Sequence, residues 1–346
     1  MVGNISRSKH MTDKVVFVDG MFGSGKSLLS SIISSLDRVE LLSFISELEC
    51  TCALHNLGKM SDDAAKAMVG LQTDLKLYAT MMGRDVNFRA GDMSSAMKHH
   101  NPSRYFQRLF GPGDQHIPEI IKTQRPILNI AVHNLLSMSE PIWERLGDRC
   151  IFVEMVRHPA YTIKQQSYQI KMSDDERGFA VCYKHKGAEV PYYAYGWEDK
   201  FLESSPVEKA VYYVDALTKR NNDAREKIRK TYGGNILTVP FEPFVLSPEE
   251  WIEKIASMIG TSTSSATKKV MFEQNIPRGR VSDGIDEETY VRYGWTPSMG
   301  SVDEKHELEI RKQKITSQIG AAAESTFKKI AKDYENKFWS PGSIST

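Results

Sequence analysis

The chain has 346 residues, 40% of them apolar and 26% charged, the balance of a soluble globular protein long enough to bury a substantial core. Its 45 lysines and arginines against 44 acids leave a formal net charge of +1, so no global field directs it to nucleic acid or an anionic membrane. No apolar run approaches the roughly 20 residues of a membrane span. The four cysteines offer no zinc set, because Cys50-Thr51-Cys52 is too tight and no second pair completes a tetrahedron; with a polar start lacking an apolar signal core, free thiols and a cytoplasmic location are expected.

Residues 1–13 read as a flexible polar leader. Val15-Val16-Phe17-Val18 predicts a buried strand, followed by a glycine-rich turn and a helix starting near Lys26. A second short strand is expected near Val39 to Phe44. Residues 58–110 read as a helical insertion (Asp62 to Met82 and Pro102 to Phe110), with the charged, glycine-containing stretch 83–92 as a loop between. Ile127 to Val132 predicts a buried strand ending at His133. A helix from about Ser139 to Leu146 follows, then a strand from Cys150 to Val156 ending at Arg157-His158-Pro159. Residues 207–231 predict a long helix, and Asn235 to Phe241 a strand closed by Glu242-Pro243. Ser247-Pro248-Glu249-Glu250 starts a helix that ends at Gly260. Residues 303–338 read as one long charged amphipathic helix, packed on the domain or on a second copy of the chain. Strands alternating with helices predict an α/β fold, a central, mostly parallel sheet flanked by helices. The expected organisation is one domain over 14–300 and a C-terminal helical extension over 301–346. Ligands of such sheets bind beyond the carboxyl ends of the strands, where Gly20, His133 and Arg157 fall.

Gly20-Met21-Phe22-Gly23-Ser24-Gly25-Lys26-Ser27 fits the phosphate-loop pattern G-x-x-x-x-G-K-[ST] in full and in its required context of strand, turn and helix. Glycines let successive N–H groups point at one anion, and the helix N-terminus adds partial positive charge. Lys26 supplies a mobile cation, and Ser27 a hydroxyl for a phosphate oxygen or a magnesium ion. This assigns nucleotide binding, not the group that moves.

Four segments together resemble the P-loop sulfotransferase superfamily. The first is Gly23-Ser24-Gly25-Lys26-Ser27, similar to the family's R/K-S-G-T-T turn, with Gly23 in place of the leading cation and a lysine at Lys26 instead. The second is the strand ending in Arg157-His158-Pro159, similar to the family's R-x-P, with Gln165 where a serine is expected and Thr162 and Ser167 nearby. The third is Arg278-Gly279-Arg280, similar to a late R-K-G segment but without its G-D-W-K-N continuation. The fourth is Ile236 to Phe244 with the helix from Ser247 to Gly260, similar to the family's late strand, Y-E-D-L turn and closing helix.

The resemblance implies transfer of a sulfuryl group from 3′-phosphoadenosine 5′-phosphosulfate (PAPS) to a hydroxyl or amine, leaving 3′-phosphoadenosine 5′-phosphate (PAP). It implies that Gly23, Ser24, Gly25, Lys26 and Ser27 hold the 5′ end. Arg157, Gln165, Arg278, Gly279 and Arg280 then hold the 3′-phosphate, for which guanidinium offers paired donors. It also implies a catalytic His133, with Lys26 stabilising the leaving phosphate oxygen and no metal required. A rival alignment sets Lys122-Thr123-Gln124-Arg125-Pro126 on the family's K-T-H-x-P and makes the base position Gln124; His99, His100 and Glu154 are further candidates.

The segment from Asp62 to Phe110 and the aromatic stretch Pro191 to Trp197 are expected to line the site of a small-molecule or glycan acceptor. No nucleic-acid partner is expected, and the C-terminal helix is a candidate homo-oligomer contact. Two other readings compete. One is an ATP- and magnesium-dependent small-molecule kinase, with Lys26-Ser27 at the phosphates and Asp19 or Glu154 on the metal. The other is a nucleotide-gated binding protein that consumes nothing.

Overall fold

The computed structural model describes residues 3–172, 178–284 and 303–339. Four parallel strands form its centre: β1 (Lys14–Gly20), β2 (Ile127–Ala131), β3 (Cys150–Val156) and β6 (Asn235–Pro240), in the spatial order β2-β1-β3-β6. The strands are mainly apolar because the sheet is covered on both faces. Val15 and Phe17 of β1 join Phe152 of β3 and Leu128 of β2 in one core. Val16 and Val18 join Ile151, Val153 and Met155 in the other. The alternation places one set on each face of the pleat. The three-layer α/β architecture expected from the strand–helix alternation is the observed one. A short antiparallel hairpin, β4 (Cys182–His185) and β5 (Ala188–Pro191), lies outside the sheet.

The helices are α1 (Lys26–Ile33), α2 (Ser46–Asn56), α3 (Asp62–Met81), α4 (Pro102–Arg108), α5 (Ile117–Gln124), α6 (Glu140–Leu146), α7 (Pro159–Met172), α8 (Glu198–Glu203) and α9 (Pro206–Tyr232). After β6 come α10 (Phe241–Leu246), α11 (Glu249–Ile259), α12 (Ser265–Glu273), α13 (Glu304–Thr316) and α14 (Ala321–Lys337). Among the described residues no helix is long and apolar enough to cross a membrane. The four cysteines are free thiols.

Two expected elements differ. Val39 to Phe44 is not a strand. It touches β2 only at isolated bridges, Val39 to Ile127 and Ser43 to Ile130. Between them the Leu41 N–H turns away to the Tyr105 hydroxyl at 2.8 Å, and the Glu40 carboxylate is drawn to Arg104 and Arg108 of α4 at 2.5 and 2.7 Å. Nor is 303–338 one helix. It breaks into α13 and α14 at Gly320, whose N–H goes to Glu208 Oε1 in the first turn of α9 at 3.0 Å. Both halves pack against the same chain: Phe327, Ile330 and Tyr334 of α14 are buried in the core that also holds α7 and α9. The expected boundary at 300/301 lies outside the described residues. The expected leader is bonded to α3, where the buried Asp74 accepts from Arg7 and from the N–H groups of Met11 and Thr12.

Candidate functional site

The carboxyl ends of β1, β2 and β3 meet at the glycine turn. Gly20, Gly23 and Gly25 have φ values of +151°, +80° and +99°, which side-chain-bearing residues rarely adopt. A Cβ on Gly23 would meet Gln165 Oε1 at 2.3 Å, and one on Gly25 would meet the Phe241 ring at 2.4 Å. Close packing around a bare backbone is what a phosphate cradle needs. The Ser24 hydroxyl is buried and has no partner among the described residues, an unsatisfied group facing the cavity beside the loop.

Lys26, the first residue of α1, is buried, and its ammonium donates to the Met21 carbonyl at 3.3 Å below the Phe22 ring. Burial pushes it down to about 8, against the pull of Asp19 and Glu49. Burial likewise pushes the Asp19 carboxyl up to about 6, although Gly20, Leu135 and Leu136 donate backbone N–H bonds to it.

His133 follows β2 and reaches the same turn, its ring stacked on Phe22 with centroids 4.4 Å apart. Glu49 of α2, 84 residues away, accepts the His133 backbone N–H at 3.0 Å and lies 3.1 Å from ring Nδ1. Burial and the nearby Lys26 lower the imidazole pKa, and Glu49 opposes them. The imidazole is thus held at its Nδ1 edge by Glu49. Nothing in the sequence flags Glu49, which is paired with His133 only by folding.

Arg157, at the end of β3, donates through Nη1 to the Gly23 carbonyl at 2.9 Å. Its guanidinium lies 4.1 Å from the Phe241 ring centroid and 5.1 Å from that of Tyr161. Arg278 lies over the same Phe241 ring at 5.5 Å, and its side chain also donates to the Asn275 and Val281 carbonyls. The loop, Arg157, Gln165 and Arg278 are thus brought together. Gly279 and Arg280 are not. Both are exposed, and Arg280 is turned onto Asp283 at 2.8 Å because that carboxylate also accepts its backbone N–H.

Of the other candidate bases, only Glu154 lies beside the loop. Gln124 ends α5, before β2, at the opposite end of the parallel sheet. His99 is buried against the Ser34 carbonyl at the far end of α1. The His100 ring is tilted against that of His99, with centroids 4.1 Å apart. Glu154 is buried in a network: it accepts from Asn221 at 2.8 Å and Thr238 at 3.1 Å and pairs with Arg225 at 3.2 Å.

A cavity of about 160 Å³ opens beside the loop. Its walls are Met21 and Ser24, the end of β3, the Val214–Arg225 part of α9, and α14 with Lys329, Tyr334 and Lys337. Neither 62–110 nor the 191–197 stretch lines this cavity. The aromatic stretch lies instead behind His133, where Tyr193 meets Tyr213 edge-on at 5.1 Å and the Tyr213 hydroxyl accepts from Asn134.

No family model and no curated protein matches the chain. Several solved structures do. The sulfotransferase domain from the Synechococcus PCC 7002 olefin synthase is 12% identical, over 95% of this chain and 96% of that one, at a TM-score of 0.44. The sulfotransferase domain from the curacin biosynthetic pathway is 12% identical, over 94% and 99%, at 0.48. Mouse sulfotransferase SULT7A1, complexed with PAP, is 9% identical, over 94% and 90%, at 0.33.

Proposed function

We propose that the chain transfers a sulfuryl group from PAPS to a hydroxyl or amine of a small-molecule or glycan acceptor. One observation carries this reading. Arg157 touches the phosphate loop and shares the Phe241 ring with Arg278, so two guanidiniums stand beside a 5′-phosphate cradle. A nucleotide with a second, ribose-borne phosphate needs such a pair.

When bound, the donor supplies a sulfuryl group on a phosphate leaving group. Loop N–H groups, the Ser24 hydroxyl and the Lys26 ammonium take up the charge that develops on the leaving oxygen. His133 accepts the acceptor's proton at Nε2 as the new bond to sulfur forms and the bond to the phosphate oxygen breaks. Glu49 holds the ring in that tautomer.

The kinase reading needs a carboxylate for magnesium. Asp19 is committed to three backbone N–H groups, and Glu154 to Asn221, Thr238 and Arg225. That leaves neither poised for a metal. Calorimetric titration with PAP, and with ADP plus magnesium, tests the choice. PAP should bind the more tightly, and Arg157→Ala should weaken PAP by about 30-fold or more while changing ADP less than about threefold, from the worth of a charge-assisted contact. Tighter binding of ADP with magnesium, indifferent to Arg157→Ala, would overturn the reading.

A further inference from the structure

The walls that house the Arg157 guanidinium are themselves held by residues of the C-terminal helical pair. Tyr161, one wall, donates its hydroxyl to Glu304 Oε1 of α13 at 2.5 Å, and Arg311 of α13 lies over the same ring at 4.7 Å. Phe241, the other wall, is followed by the fully buried Glu242. One Glu242 oxygen accepts the His158 backbone N–H at 3.1 Å, and the other accepts the Tyr334 hydroxyl of α14. The His158 ring, also fully buried, receives the Ala160 N–H at Nδ1, while its Nε2 lies 3.1 Å from Glu335 of α14. Glu335 is paired in turn with Lys312 of α13 at 2.8 Å. The residues on either side of the two that matter, His158 beside Arg157 and Glu242 beside Phe241, are therefore tied to one another and to a helix more than 90 positions further on.

We propose that Tyr334 and Glu335 are positioning residues for Arg157, making the C-terminal helix part of the device that selects a nucleotide with a phosphate on its ribose. The proposal rests on the sulfotransferase reading above. A helix that only fastened the fold would support every ligand equally. One that fixes the Arg157-His158-Pro159 turn supports only what Arg157 binds.

The test is a double-mutant cycle in nucleotide affinity on the full chain, with Tyr334→Phe, Arg157→Ala and the double variant titrated with PAP and with ADP. Tyr334→Phe removes one oxygen and keeps the packed ring. It should weaken PAP by about tenfold, the worth of one hydrogen bond to a charged group, and ADP by less than about threefold. In the Arg157→Ala background it should cost nothing further for PAP. Glu335→Gln, at a partly exposed position, is the second variant should Tyr334→Phe fold poorly, and the same pattern is expected. Equal losses for both nucleotides, or a Tyr334→Phe loss that persists undiminished without Arg157, overturn the positioning role and leave the sulfotransferase reading intact. An Arg157→Ala variant that still prefers PAP as strongly as the parent overturns both.

Discussion

Gly25→Ala and Gly23→Ala add the same methyl group two residues apart on the loop, and the structure separates their effects. Both positions have positive φ, +99° and +80°, so each alanine carries about 1–2 kcal/mol of backbone strain. Beyond that they diverge. The Gly25 methyl would sit 2.4 Å and 2.5 Å from two carbons of the Phe241 ring, which is buried in the core and cannot swing aside. Overpacking of that kind costs about 1–3 kcal/mol more, for a total of about 2–5 kcal/mol. The Gly23 methyl meets chiefly the amide end of Gln165, a half-buried side chain that can rotate away, so little is added to the strain. Urea unfolding at 25 °C should place Gly25→Ala below Gly23→Ala by about 1–3 kcal/mol at an unchanged slope. Because Phe241 also carries Arg157, the Gly25 variant should lose PAP affinity out of proportion. Equal destabilisation of the two variants, or a Gly25→Ala loss under about 0.5 kcal/mol, would refute the claim that the loop is packed against the arginine's platform.

Two further outcomes follow from the buried charges. Burial holds Lys26 near 8, so at pH 8.5 much of it is neutral, and an arriving phosphate raises its pKa again; binding of PAP should then take up a fraction of a proton, read as heat that varies with the ionisation enthalpy of the buffer. At pH 6.5 Lys26 is already charged and contributes no uptake, so buffer-independent heat at pH 8.5 counts against a lysine beneath the anion. Glu49→Gln keeps an acceptor for His133 Nδ1 but removes the charge that raises the imidazole pKa, so the acid limb of kcat/KM should move to lower pH and nitrogen NMR of the ring should show the same shift; an unmoved limb would mean that Glu49 does not act through His133.

The sheet was legible because β1, β2 and β3 are almost wholly buried and read as largely apolar runs, each leading into a residue singled out for the site. What failed to announce itself was polar or distant. Helix α2 buries Thr51 and Cys52 beside Leu48 and Ala53, so its buried face gives no clean apolar stripe, and Glu49 rides on it unseen. Helix α7 buries Thr162, Gln166 and Ser167, which read as surface residues. Val39 to Phe44 has strand composition, yet Tyr105 of α4, 64 positions on, takes the Leu41 N–H and Arg104 reaches the Val39 carbonyl, backbone groups a strand would pair. In the C-terminal region the periodicity gave the packing face but not its partner, because the face meets α7 and α9 of its own chain.

The loop's departure from the sulfotransferase pattern has a structural reason. The pattern sets a lysine or arginine where Gly23 stands. Here even a Cβ at that position would strike Gln165, and the positive φ resists any side chain. Arg157 crosses from β3 to donate to the Gly23 carbonyl. A lysine stands three residues on, in the first turn of α1, beneath Phe22 and close enough to His133 to depress its pKa. A side chain at position 23 would have to turn Gln165 aside as well as adopt the positive φ.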